Sequence, residues 1–427
     1  MHELTKLIRE DMRPALGVTE PGAIAFAVAT AREHTSGKIE KVEVALNSGM
    51  YKNAFTCGIP NSDKYGNLYS AALGAVAADA KLGLESLSKI TEEDNEEAKR
   101  MVDSGMVEVT LDHMGSEITI DAMVKTESDT CTVHIRGSHT NIQWIEKNGE
   151  IIFGQPREMS AQENEAEETP VIHRYSLKEM LDYVKTVDVK EIEFIKDAFV
   201  MNMNLLEEGL GSERTTIGPM LLRANGGERI SGDVQKTAQL LCNGAIEARV
   251  LGLSKPAMSI TGSGAHGIIA TMPLLAYREV CMDQSGEEML LRATALSYLI
   301  TMYIKEYSGK LSAFCGCGIA AGTGMACGLG LLKGADESQE AMIIQNMAAG
   351  LTGMICDGGN QGCAMKGIVA VDAAFRAAGM AMEGVCIENI HGICGRTPED
   401  TMRNMGLIAS PGMVRTEETI VTIMKEK

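Results

Sequence analysis

The sequence predicts an α+β protein: an α/β domain with a mainly antiparallel sheet in front, and a mainly α-helical domain behind. Two patterns carry this expectation. Between residues 39 and 153 apolar and polar residues alternate with the period of half-buried strands, whereas beyond residue 170 the alternation gives way to long stretches of helical spacing. Composition is the third observation. Aromatic residues make up 4% of the 427-residue chain, against 45 glycines and 28 methionines. Small residues allow helices to approach closely and methionine fills irregular gaps, which suits packed Gly/Ala-rich helices better than a β-sandwich. The expected organisation is an α/β domain over 1–156, an acidic linker over 157–170 and a helical domain over 171–427. The N-terminal helical stretch 1–34 is free to pack on the helical domain.

In chain order, residues 3–34 read as helical with a break at Gly17-Val-Thr-Glu-Pro-Gly22. Pro21 fits a first helical turn, and Thr19 reads as the N-cap of a helix over Gly22–Arg32. Val42, Val44 and Leu46 begin the strand alternation, and a turn-rich run follows over Asn47–Asn67. Helices are expected over Ala71–Leu84 and Glu92–Ser104. Strands follow over Val107–Leu111, Ile118–Val124, Cys131–Arg136, Ile142–Glu146 and Ile151–Phe153, the last two joined by the Asn148-Gly149 hairpin turn. AQENEAEE marks the exposed linker. Behind it, Ser176-x-x-Glu179 is a capping box. Further helices are expected over Glu191–Leu206, Asp233–Leu251, Glu287–Glu306, Glu337–Leu351, Ile368–Met382 and Pro398–Leu407.

A net charge of −19 without a basic patch argues against a nucleic-acid partner, because phosphates would be repelled. The charged amphipathic start MHELTKLIREDM is not a signal peptide, and eleven cysteines in such a chain point to a reducing cytoplasm with free thiols. Ser312–Leu332 carries no charge and is long enough to cross a membrane. Its glycines, at 316, 318, 322, 324, 328 and 330, and the lack of an aromatic belt favour a buried helix or loop–helix instead.

The cysteines gather in two stretches, LSAFCGCGIAAGTGMACGLGLLKG (311–334) and TGMICDGGNQGCAMKG (352–367). Cys356 and Cys363 flank a glycine-rich segment that can fold tightly enough to turn both thiols to one point. Grouped thiolates hold soft metals or iron–sulfur clusters, although this spacing matches no common zinc motif and free cysteines also serve as small buried apolar residues. Gly316-x-Gly318-x-x-x-Gly322 has no preceding strand and is rejected as a dinucleotide fingerprint. Thr261-Gly-Ser-Gly-Ala-His-Gly267 reads either as an anion nest carrying Ser263 and His266 or as a glycine-rich helix–helix turn. His139, among Ser138, Thr140 and Asn141, is either a ligand-binding group or part of a surface turn.

Taken together these stretches resemble the L-cysteine desulfidase family, which is related to the iron–sulfur L-serine dehydratase alpha chain. The resemblance rests on ALGVTEPGAIAFA (15–27), YKNAF with a following IP (51–60), GSHTNI (137–142), ITGSGAHGIIATMP (260–273), LSAFCGC (311–317), MICDGGNQGCAMK (354–366) and MRNMGLIASPGM (402–413). It implies a [4Fe–4S] cluster held by Cys315, Cys356 and Cys363, with Cys317 the ambiguous neighbour of Cys315. It further implies β-elimination from a small amino acid to a 2-oxo acid and ammonia. Thr19 and Glu20 would lie near the substrate, with Ser263, Gly264 and His266 holding its carboxylate. Lys52, Asn53, His139, Thr140 and Asn141 would close the site from the α/β domain.

One departure matters. The family motif reads GCTEP, and its cysteine looks like the base that takes the α-proton; here that position is Val18. Either the substrate differs, another base substitutes, or the chain keeps the scaffold as a cluster-bearing binding or sensor protein. Cys57, in the run after Lys52, is the candidate relocated base, followed by Glu20, His139 and Lys52. The remaining expectations are a small-molecule substrate, no membrane and room for a homodimer.

Overall fold

The computed structural model describes residues 1–156, 169–282, 286–309 and 311–427. Its elements are α1 (Glu3–Asp11), β1 (Arg13–Leu16), α2 (Thr19–Glu33), β2 (Ile39–Asn47), α3 (Ser48–Ala54), α4 (Gly66–Val76) and α5 (Glu92–Asp103). Strands β3 (Val107–His113), β4 (Thr119–Thr126), β5 (Thr130–Arg136), β6 (Ile142–Lys147) and β7 (Glu150–Gly154) follow. Then come α6 (Leu177–Thr186), α7 (Val189–Ile192), α8 (Lys196–Leu210), α9 (Ile217–Ala224), α10 (Val234–Val250), β8 (Pro256–Ser259) and α11 (Gly264–Cys281). The last helices are α12 (Glu287–Ser308), α13 (Gly322–Leu332), α14 (Glu337–Leu351), α15 (Gly362–Met382), α16 (Pro398–Leu407) and α17 (Val414–Lys425). The protein is α+β, as expected. Most of the anticipated acidic linker, residues 157–168, lies outside the described residues.

The front sheet runs β3-β2-β4-β5-β6-β7, antiparallel throughout except for the parallel β2–β3 pair. Register puts Val42, Val44 and Leu46 opposite Val124, Ala122 and Ile120, which face Cys131, Val133 and Ile135 in turn. All nine are buried, so the period-two pattern reports one continuous apolar face. Helix α2 lies on that face against β4 and β5, with α4 beside it against β2 and β3 and the turn over Ala80–Glu85 also packed on it. Enclosed by the sheet, α4 and that turn, α2 is apolar almost all round, as a buried helix must be.

Behind, α10 is enclosed by α8, α9, α11 and α15. The uncharged cysteine-rich stretch forms a π-turn over Cys317–Ala321 and then α13, every residue of which is buried. A Cβ on Gly324 would collide with the Ser297 carbonyl of α12, so glycine lets the two helix backbones meet. No helix among the described residues is long and apolar enough to cross a membrane.

Several local expectations are corrected. Residues 13–16 are not helical: β1 pairs antiparallel with β8, Arg13 opposite Ser259 and Leu16 opposite Pro256. A four-residue strand whose partner lies far along the chain leaves no local signal. Thr19 is not an N-cap; helix α2 starts on it, and Val18 occupies the cap position without a side-chain bond. The run 47–67 is not all turn, because α3 and the start of α4 fall within it. The helix expected over 191–206 is split by a tight turn at Glu193–Ile195, which brings Ile192 and Ile195 together on the buried side.

Candidate functional site

Two backbone pairings assemble the site. The β1–β8 pair brings Gly17–Glu20 beside Thr261–Ser263, where the Thr19 hydroxyl donates to the Gly262 carbonyl at 3.4 Å. A bridge between Phe314 and Ile355 joins the two cysteine stretches. The Cys315 amide donates to the Met354 carbonyl at 3.1 Å and the Cys356 amide to the Ala313 carbonyl at 2.6 Å. The Asp357-Gly-Gly loop then folds onto the end of α3. Gly358 (φ +99°) lies against the Lys52 carbonyl, the Gly359 amide donates to the Asn53 carbonyl at 3.0 Å, and Gly359 packs on Val18. Helix α15 starts at Gly362, six residues before the expected start, and so carries Cys363 and Lys366 in its first turns.

These segments enclose a cavity of about 710 Å³. Thr19, Glu20, Asn53, His139, Ser263, His266, Cys317, Cys356 and Cys363 line it. Asn53 Nδ2 donates to Glu20 Oε1 at 2.8 Å, and His139 Nε2 stands 3.9 Å from the same oxygen. Cys315 is buried behind this wall and accepts the Gly318 amide at 3.4 Å. A hydrogen bond from Cys317 is the main influence that lowers the Cys315 thiol below its usual range, against the opposing effect of burial. Cys317 is pushed up correspondingly, and burial pushes Cys363 up to about 11. Lys366 pairs with Asp357 across the loop, and this pair raises Lys366 although burial alone would lower it.

The other candidates fall elsewhere. Cys57 is fully buried, donates to the Ala54 carbonyl at 3.4 Å and does not line the cavity. Burial first, then the Glu20 charge, push its thiol well above the usual range, the reverse of what a base requires. Lys52 is also wholly buried and outside the cavity lining. Its ammonium donates to Asn53 Oδ1 at 3.0 Å and to the Ser312 and Cys356 carbonyls at 3.1 Å, which makes it a tie between α3 and both cysteine stretches. Thr140 and Asn141 are exposed in the β5–β6 turn and do not reach the cavity, because only Gly137, Ser138 and His139 of that turn point inward. Gly264 contributes backbone beside the site.

Two cations in the cavity were not expected. Arg249, at the end of α10, and Lys305, on α12, both line it. Burial lowers Lys305 to about 8, while the Cys356 and Cys317 thiols pull it upward. Burial, Lys305 and Arg249 together lower His266 to about 3, so its ring is neutral, with Nδ1 2.5 Å from the Thr261 hydroxyl. A lone arginine in the apolar stretch NGAIEARVLGL was the available sequence signal.

No three His, Cys, Asp or Glu side chains among the described residues gather closely enough to hold a single metal ion. A [4Fe–4S] cluster asks for something else, since each thiolate binds a different iron. The donor set fits it: the Phe314–Ile355 bridge holds the two cysteine segments side by side, and Cys317, Cys356 and Cys363 line one cavity with Cys315 buried beside them.

In this α+β chain, grouped cysteines thus wall a cavity beside a carboxylate held by Asn53. The serine dehydratase alpha chain family matches residues 81–422, and the chain belongs to that family. It is 41% identical to a UPF0597 protein of Clostridium botulinum strain Langeland, covering 99% of this chain and 98% of that protein. A UPF0597 protein of Caldanaerobacter subterraneus subsp. tengcongensis is 37% identical with the same coverage, and one of Bacteroides fragilis is 35% identical over 100% of this chain and 98% of its own length.

Proposed function

We propose that the protein is an iron–sulfur-dependent lyase that eliminates the β-substituent of a small amino acid, giving a 2-oxo acid and ammonia. Cysteine, serine or a related amino acid is the substrate, and hydrogen sulfide is the co-product when it is cysteine. The reading is carried by the meeting of Cys317, Cys356 and Cys363, with Cys315 behind Cys317, on a cavity that also holds the Glu20–Asn53 pair and His139. Cys315, Cys356 and Cys363 would hold a [4Fe–4S] cluster, with Cys317 the neighbour of Cys315 on the cavity side. When bound, the cluster supplies an iron without a protein ligand, a Lewis acid able to draw charge from a leaving thiol or hydroxyl.

The chain's own groups carry the rest. Glu20, oriented by Asn53, accepts the α-proton; the C–H electrons form the Cα–Cβ double bond as the β-substituent departs with its bonding pair. His139, beside the same oxygen, stabilises the carboxylate before transfer and relays the proton to the departing group. The aminoacrylate released this way takes up water to give the 2-oxo acid and ammonia. Val18, packed on Gly359, contributes an apolar wall where a proton carrier would otherwise stand. Free thiols at all eleven cysteines accord with a cytoplasmic setting, and a homodimer is part of this reading.

Val18 also favours a second reading, a cluster-bearing binding or sensor protein that keeps the scaffold without turnover. The deciding experiment is an anaerobic assay of cysteine, serine, threonine and related amino acids for ammonia and a 2-oxo acid, alongside iron and sulfide determination. Product from any of them, with about four irons per chain, supports the lyase. Full iron without product supports the sensor. Zinc in place of iron refutes both.

A further inference from the structure

Arg249 is a cavity cation whose charge no described carboxylate answers. It is 5% exposed, lines the cavity, and its guanidinium makes no hydrogen bond or ion pair with any described residue; Nε in particular is buried without an acceptor. A buried guanidinium left in this state is costly, and the usual resolution is an anion that arrives from outside. The carboxylates nearby are committed. Asp11 accepts the Thr261 amide at 2.6 Å, and Glu20 is held by Asn53 and His139. Glu247, two residues back on the same helix and so on another of its faces, accepts the amides of Thr216, Ile217 and Gly218 and the Gln361 side chain.

The guanidinium also has a fixed neighbour. A Cβ on Gly264 would sit 2.5 Å from Arg249 Nε, so glycine allows the arginine to lie against the first turn of the 18-residue helix α11. Ser263, at the cap position, makes no side-chain bond to that turn, so its leading amides have no side-chain acceptor there, and Ser263, Ala265 and His266 line the cavity together with Arg249. A planar fork of donors beside a helix N-terminus matches a carboxylate. The Thr19–Gly262 bond holds the turn bearing Glu20 against this loop, and Glu20 lines the same cavity as Arg249.

We propose that Arg249, with the first turn of α11, binds the α-carboxylate of the amino-acid substrate and thereby sets which carbon faces Glu20. The proposal rests on the lyase reading for the identity of the ligand, but its test does not. Binding is measured anaerobically by calorimetry on the purified full-length protein, with glycine, L-serine, L-cysteine and L-threonine and their carboxamides as probes. The carboxylates bind wild type better than the carboxamides. Arg249→Gln weakens carboxylate binding by at least about tenfold and removes the preference, with Arg249→Lys in between. Equal affinity in wild type and Arg249→Gln, or no preference for carboxylates in wild type, overturns it. Should the variants fail to fold, phenylglyoxal labelling of wild type followed by mass spectrometry decides: protection of Arg249 by the same carboxylates supports the proposal, and unchanged labelling refutes it. Ammonia release separates the two readings. Arg249-dependent binding without ammonia from any probe keeps the subsite and removes the lyase, whereas ammonia release at unchanged KM in Arg249→Gln keeps the lyase and removes the subsite.

Discussion

Lys52→Met distinguishes a positioning lysine from a catalytic one. The substitution keeps the buried apolar stem and removes the ammonium with its bonds to Asn53 Oδ1, the Ser312 carbonyl and the Cys356 carbonyl. A charged donor bond contributes about 1.5–3 kcal/mol, but the ammonium also recovers its own desolvation cost when deleted, so the net loss is about 2–4 kcal/mol rather than the sum of three bonds. At about 2.1 cal/mol/K per residue the 427-residue chain melts with an entropy of about 0.9 kcal/mol/K, and the loss lowers Tm by about 2–4 °C. The local consequence is larger, because two of the three acceptors are the backbones that carry the cysteines. Anaerobically reconstituted Lys52→Met should therefore hold less iron and lose activity in proportion to iron. Tm and iron content are read together with kcat per bound iron. Unchanged Tm and iron with activity abolished would show Lys52 to be the base and refute the reasoning.

Cys57→Ala should retain elimination activity and iron while losing about 1 kcal/mol of stability, since a buried protonated thiol contributes packing and one weak bond; loss of activity at full iron content would restore Cys57 as the base. Glu20→Gln should lower kcat by about 10²–10⁴ with iron intact, measured by ammonia release, because an amide cannot take the α-proton. Glu340 is buried with only the Cys327 thiol beside it and no described cation paired to it, and burial pushes its carboxyl well above the usual range. The unfolded chain ionises it above about pH 4.3 while the folded one keeps it neutral, so wild-type stability falls as pH rises toward the folded value, by up to about 1.4 kcal/mol per unit. Glu340→Gln should accordingly gain urea resistance over wild type at pH 8 relative to pH 5, and a pH-independent difference would contradict this. Gly267→Ala pushes a Cβ into the Met258 carbonyl of β8 and should cost about 1–3 kcal/mol in urea unfolding while weakening substrate binding through displacement of the α11 N-terminus.

The sequence by itself determined the α+β order of elements, the strands of the front sheet and the capped helices behind it, because period-two alternation and capping residues are local signals. It also marked the glycine-rich cysteine segment and the turns bearing Glu20, Ser263 and His139. Tertiary structure decided how these meet. The short β1–β8 pair joins residues more than two hundred positions apart and the Phe314–Ile355 bridge joins the two separate cysteine stretches, and a pairing of so few residues has no pattern of its own in the chain. The same distance effect reassigned Lys52 and Cys57. Both looked available from a turn-rich run, but α3 forms there and turns Lys52 onto the two cysteine stretches while Cys57 goes into the core. Arg249 is the converse case. In sequence it is an ordinary basic residue at a helix end, and its significance lies in the absence of any described acceptor around it, which only the packing of α10 against α11 could establish.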